Sequence, residues 1–153
     1  MKKALIIFLL VFSGFATKAQ GLVWENNLEK AIDISKSTHK PLMLFFTGSD
    51  WCGWCMRLQN EVFKKPEFVA WAKNNVVLVE LDFPRRTPLP PELQTQNNNL
   101  QQFFQVQGFP IVWFVNANKT DGKISFEKLG NTGYVAGGPN AWLSGANEIL
   151  KNK

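Results

Sequence analysis

A strand-like run, a short turn and a helix-like run meet at the only two cysteines of the chain, and this junction constrains the fold more than any other feature. Cys52-Gly53-Trp54-Cys55 follows the apolar stretch Pro41-Leu42-Met43-Leu44-Phe45-Phe46. It precedes Met56-Arg57-Leu58-Gln59-Asn60-Glu61-Val62-Phe63, which has helical character. The pair therefore sits at a helix N-terminus, where unpaired N–H groups and a partial positive charge favour a thiolate. A thiolate attacks disulfides, and a second thiol two residues beyond is near enough to resolve the mixed disulfide. The arrangement suits a dithiol/disulfide switch.

Two other uses of the cysteines fit less well. A bridge across two intervening residues closes a very small loop and removes little chain entropy, so it makes a poor structural staple. A zinc site needs four ligands, and the chain has these two cysteines and the single His39, which reads as a surface loop residue before Pro41. No metal and no cofactor beyond the redox-active disulfide are expected.

The N-terminus reads as an export signal. Lys2 and Lys3 precede an apolar stretch from Ala4 to Phe15, and Thr17 and Ala19 are small where a signal peptidase reads, which places the signal at 1–19. The stretch is shorter than the about 20 apolar residues of a membrane span, and a retained anchor is the second reading. Residues 20–153 are then a single domain, long enough for a sizeable core. Loss of Lys2, Lys3 and Lys18 lowers the net charge from +5 to +2. The remaining charge makes no case for nucleic acid or acidic membranes.

Periodicity orders the elements. Apolar residues at 24, 28, 31, 32 and 35 predict a helix from Trp24 to Lys36, followed by a strand from Leu42 to Thr47. A helix from Trp51 to about Lys73 contains Pro66, which predicts a break near Lys65. Val76 to Leu81 reads as a buried strand. Four prolines between Phe83 and Pro91 exclude both helix and central strand there. Leu100, Phe103, Phe104 and Val106 form the apolar face of a Gln/Asn-rich helix. Strands at Ile111–Val115 and Ile124–Leu129 flank an Asp121-Gly122 turn, and a last helix follows Gly137-Gly138-Pro139. The fold class is α/β, a mixed central sheet with helices on both faces.

Three segments carry a family resemblance: Phe46 to Cys55, Val79-Glu80-Leu81-Asp82-Phe83-Pro84, and Val106-Gln107-Gly108-Phe109-Pro110. The chain resembles thioredoxin-fold proteins, and more closely the DsbH-type exported thiol–disulfide oxidoreductases. The resemblance implies a thioredoxin-like fold, Cys52 as nucleophile, Cys55 as resolving thiol and Pro110 as a cis-proline. It also implies that the backbone of Phe109 pairs with an extended substrate segment, beside a surface formed with Trp51, Gly53 and Trp54. Thioredoxin's buried ion pair is matched here by Phe46 and Leu78, so Asp50, Glu80 or a water is left to take the Cys55 proton. Trp51 is either part of an apolar rim with Trp54 or a packed buttress beneath it. Arg85 and Arg86 read as solvated charges on the proline-rich insertion.

No histidine lies between the cysteines, so a fairly reducing pair is expected, nearer the thioredoxin potential of about −270 mV than the DsbA value of about −120 mV. The expected protein is an exported monomeric reductase of substrate disulfides in a Gram-negative periplasm, recharged by a membrane thiol electron donor. A disulfide-forming oxidase or isomerase, or a chaperone-like binding module for unfolded exported proteins, stands as the alternative.

Overall fold

The computed structural model describes residues 21–151, and the segment read as a signal peptide lies outside the described residues. Six consecutive buried residues, Leu42–Thr47, form strand β2 at the centre of the molecule. Around it lie β1 (Trp24–Glu25), β3 (Val77–Asp82), β4 (Ile111–Thr120) and β5 (Lys123–Thr132), in the sheet order β1-β3-β2-β4-β5. The first three strands are parallel; β4 runs antiparallel to β2, and β5 to β4.

Helices cover both faces because β2 and β3 are apolar on both. Residues Met43, Phe45 and Leu78 face α2 (Gly53–Leu58), α3 (Pro66–Asn75) and α5 (Gly138–Lys151), in a core that includes Leu58, Phe68 and Trp142. Residues Leu42, Leu44, Phe46 and Val79 face α1 (Leu28–Thr38) and α4 (Pro91–Phe103), in a core with Ile32 and Leu100. This is the mixed sheet with helices on both faces that the sequence implies.

Several element ends differ from the expectation. Trp24 belongs to the short strand β1, and α1 starts only at Leu28, because the Asn27 side chain accepts the Lys30 N–H at 2.9 Å and caps the helix there. Trp24 mimicked a helical position because an inward residue on an edge strand is apolar too. The break near Lys65 is present: α2 runs into a π-helical segment, Gln59–Phe63, and α3 restarts with Pro66 in its first turn. A proline there loses no hydrogen bond, since the first helical N–H groups are unpaired anyway.

The Gln/Asn-rich helix ends at Phe103, which is 50 % exposed, whereas Phe104 and Val106 are buried beyond the helix end. Its polar face is not simply solvated. Gln96 accepts from the Leu28 N–H at 2.9 Å, and buried Asn97 donates to the Asp82 carbonyl at 2.9 Å. Strands β4 and β5 extend well past the apolar stretches, joined through Asp121 and Gly122 at φ 51° and 75°, the left-handed pair of a tight hairpin turn. The polar residues Asn116 and Asn118 to Thr120 hid this extension, although Ala117 between them is buried and Ile124 and Phe126 of β5 pack on the same core.

The π-helical segment aims Phe63 into the aromatic centre of one core. Its ring lies 5.4 Å from Trp24, 5.1 Å from Phe45, 4.6 Å from Phe68 and 5.3 Å from Trp142, centroid to centroid. Phe63→Ala should cost about 3–5 kcal/mol of folding free energy, read as a lowered denaturant midpoint with an unchanged slope.

Candidate active site

Strand β2 delivers the chain to the dithiol through a turn closed by hydrogen bonds from the Trp51 and Cys52 N–H groups to the Gly48 carbonyl, 3.3 and 2.9 Å long. Cys52 is the N-cap of α2, with extended backbone, and its Sγ accepts the Cys55 N–H at 3.2 Å. The N-terminal N–H of the helix is thus aimed at the sulfur that would carry charge. The two cysteines form a disulfide. Cys52 keeps 5 % of its surface exposed and Cys55 none, so Cys52 is the one of the two with any surface open to another molecule.

The two tryptophans divide their roles. Trp51 is half-buried: its Nε1–H donates to the Phe83 carbonyl at 2.7 Å, and its ring meets Phe109 edge-on at 5.7 Å. A Cβ at Gly48 would collide with the Trp51 indole, which explains the glycine. The Arg85 guanidinium covers the ring from 3.7 Å. Trp51 is therefore the buttress of the turn, and Trp54, 55 % exposed, is the one that faces solvent.

Arg85 and Arg86 are more than solvated charges. Their backbone N–H groups donate to the Asp50 carboxylate at 2.9 and 2.6 Å, which stitches the proline-rich loop to the residue two before Cys52. The Arg85 N–H, with smaller help from that of Arg86, holds the Asp50 carboxyl below its ordinary pKa. Nearby, Asp82 accepts from the Ser49 N–H and hydroxyl at 2.8 and 2.6 Å, tying the same turn to the end of β3. The Phe109–Pro110 peptide is cis and leads directly into β4.

Of the two acids considered for the Cys55 proton, Asp50 is committed to the loop. Glu80 pairs with Phe45 across β2 and β3, and so lies on the sheet face that carries the cysteines. Burial, and secondarily the charge of Asp82, raises its pKa. It lines a cleft of about 250 Å³ with Trp24, Gln59 and Lys64. Phe46 points the other way, stacking on Phe83 at 6.4 Å in the opposite core, whereas Leu78 lies on the cysteine side. A charged pair at these two positions would be separated by the sheet.

One residue beside the dithiol carries no signal in the sequence. Tyr134, after β5, packs on Trp54 at 5.1 Å, and its hydroxyl donates to Glu61. Arg57 stands 5.3 Å from the Trp54 ring and 5.4 Å from Tyr134, and its Nε–H donates to Glu61 at 2.7 Å. Met56 and Val135, both exposed, flank this group. Eighty residues separate Trp54 from Tyr134, so only the hairpin topology brings them together. Among the described residues no cluster of His, Cys, Asp or Glu could hold a metal ion, and His39 is exposed at the end of α1.

The comparisons with known proteins agree with this geometry. The thioredoxin-like domain family matches residues 28–135. The disulfide bond reductase DsbH of Chlamydia pneumoniae is 38 % identical over 133 residues, 87 % of this chain and 75 % of that protein. The solved structure of a DsbH oxidoreductase superposes with a TM-score of 0.76 at 32 % identity, covering 100 % of this chain and 96 % of that one. A thioredoxin from Thermus thermophilus shares the fold, with a TM-score of 0.61 at 16 % identity over 86 % of this chain and 88 % of its own. The chain belongs to the thioredoxin-like family, and within it is a DsbH-like thiol–disulfide oxidoreductase.

The Asp50 link makes a pH-dependent prediction. Its folded-state pKa lies below the unfolded value of about 3.9, so its stabilisation is present above about pH 4 and is lost as pH falls through the folded pKa. Asp50→Asn should speed hydrogen exchange of the Arg85 and Arg86 amides at neutral pH. The wild-type protection should stay flat from about pH 5 to 8.

Proposed function

We propose that the chain is exported and works as a reductase of protein disulfides, Cys52 attacking and Cys55 resolving. The carrying observation is the asymmetry of the pair. Cys52 is the cysteine that keeps some exposed surface and has a helix N–H aimed at its sulfur, while Cys55 is wholly buried. Reduced Cys52 attacks a client disulfide as thiolate and releases one client thiolate. Cys55 then gives up its proton and attacks Cys52 Sγ, which breaks the mixed disulfide and releases the second client thiolate. Trp54 with Tyr134, and the backbone of Phe109 beside Pro110, offer the surface on which the client segment lies, alongside Trp51 and Gly53.

The export signal supports a periplasmic site, and the name of the relative, a disulfide bond reductase, supports the reductive direction. Each turnover leaves the disulfide form, so a membrane thiol electron donor is part of the proposal, with the protein acting as a monomer. No helix among the described residues is long and apolar enough to cross a membrane. A Cys55→Ser variant should accumulate stable mixed disulfides with client proteins, and Cys52→Ser should accumulate none. A reduction potential near about −270 mV supports reduction, and one near about −120 mV would mean that the protein inserts disulfides instead.

Glu80 is the better placed acceptor for the Cys55 proton, since it shares the cysteine face and is not tied up as Asp50 is. A carboxyl with a raised folded-state pKa costs stability, and the cost grows as pH rises from the unfolded value of about 4.3 through the folded one. Glu80→Gln should therefore raise the melting temperature more at pH 7 than at pH 4, while slowing resolution of the mixed disulfide. Unchanged resolution kinetics would remove Glu80 from the proton path.

A further inference from the structure

The helical run that begins at the dithiol carries Trp54, Arg57 and Glu61 at steps of three and four, which sets them along one stripe of its surface. Tyr134 closes on this stripe from just beyond β5. Its ring lies 5.1 Å from that of Trp54, and its hydroxyl donates to one oxygen of the Glu61 carboxylate. The Arg57 guanidinium stands 5.3 Å from the Trp54 ring and 5.4 Å from that of Tyr134, and its Nε–H donates to the other Glu61 oxygen at 2.7 Å. Both oxygens of Glu61 are thus committed. The Tyr134 hydroxyl, and after it Arg57, holds the Glu61 carboxyl below its ordinary pKa.

Tyr134 is itself a fixed post. It packs half-buried against the core that holds the cysteines. The carbonyl of Gly133, the residue before it, accepts the indole N–H of buried Trp142 at 3.0 Å, and a Cβ at Gly133 would stand 3.3 Å from the Pro110 carbonyl oxygen. Trp54, by contrast, is 55 % exposed in the first turn of α2. An exposed side chain changes rotamer rapidly unless a neighbour holds it, and ordering it only when a client arrives weakens binding. We infer that Tyr134, anchored on Glu61, is a positioning residue for Trp54: it holds the indole in one orientation beside the dithiol, so that a client segment meets a ring already set for contact. The inference rests on Trp54 being part of the client surface in the proposed function. Tyr134 acts through Trp54, and no electron or proton passes through it.

The test is a double-mutant cycle in the full chain. A synthetic peptide carrying one disulfide is reduced in single turnover by the parent, Tyr134→Ala, Trp54→Ala and the double variant. Tyr134→Ala should slow reduction about three- to tenfold, the range of one aromatic pair, with the loss confined to limiting peptide. In the Trp54→Ala background the same change should do nothing further, since the residue it acts through is gone. Additive losses would mean that Tyr134 touches the client itself, and would overturn the inference. Tyr134→Phe, which keeps the ring and loses the bond to Glu61, should fall between the parent and Tyr134→Ala. A second readout needs no client. The order parameter of the Trp54 indole N–H, assigned by its loss in Trp54→Phe, should drop from about 0.85 in the parent to below about 0.6 in Tyr134→Ala. An indole equally ordered in both proteins would also overturn the inference. A tyrosine that only stabilised the fold would move the melting temperature and neither readout. Should Tyr134→Ala not fold, Tyr134→Phe and Glu61→Gln carry the same two measurements. A parent that reduces no peptide would count against the reductase reading, whereas the order parameter judges the role of Tyr134 on its own.

Discussion

Burial of β2 on both faces is the constraint from which the active site follows. All six residues of the strand are buried, and the two cores meet across it, one containing Phe45 and the other Phe46. A strand held this tightly has one register, since a slip by one residue would exchange every side chain between the cores. The turn from Gly48 to Cys52 inherits that rigidity. Its closing hydrogen bonds, the clamp of Ser49 on Asp82 and the Trp51 buttress all position Cys52 against the end of the sheet. A loop attached to a mobile strand could not keep one sulfur accessible and the other sealed.

Polar groups at this end of the sheet divide by whether they are satisfied. Asp50 and Asp82 each accept hydrogen bonds, from the loop N–H groups and from Ser49 respectively, and they build the frame. Glu80 and Thr47 share the face that carries the cysteines, one disfavoured as an anion and the other without a partner. A fold optimised only for stability would carry apolar residues at both positions. Perturbed and unsatisfied groups concentrate where chemistry is done.

The rim of the site is built differently from its floor. Trp51 is covered on one face by Arg85, whereas Trp54 stays open with Tyr134 and Arg57 around it. The charge of Arg57 is met by Glu61, and the Asp50 carboxylate sits at the backbone of the two loop arginines. Charges of both signs are interleaved around an apolar patch. Under the proposed function, such a surface would take clients as extended segments of varied sequence, with contact made through backbone and aromatic area.

Local chemistry made most of this legible in the sequence. The strand–turn–helix around Cys52-Gly53-Trp54-Cys55, the break before Pro66, the Asp121-Gly122 turn and the last helix after Gly137-Gly138-Pro139 each depend on neighbours a few residues away. Propensity, spacing and turn preference act at that range, and the family resemblance rests on the same stretches. The roles of Trp51, Asp50, Arg85 and Tyr134 depend on partners 32 to 80 positions distant, and only the packed sheet decides which of them meet. The same holds for Trp24, an edge-strand residue that local spacing could not tell from a helical one. Which face a residue takes is also a tertiary matter: Phe45 and Phe46 are adjacent in the chain, and the pleat of β2 turns one into the core that holds the cysteines and the other into the opposite core. The sequence determined that a dithiol stands at a helix start on a buried strand; the tertiary structure decided which sulfur is open and which side chains stand behind it.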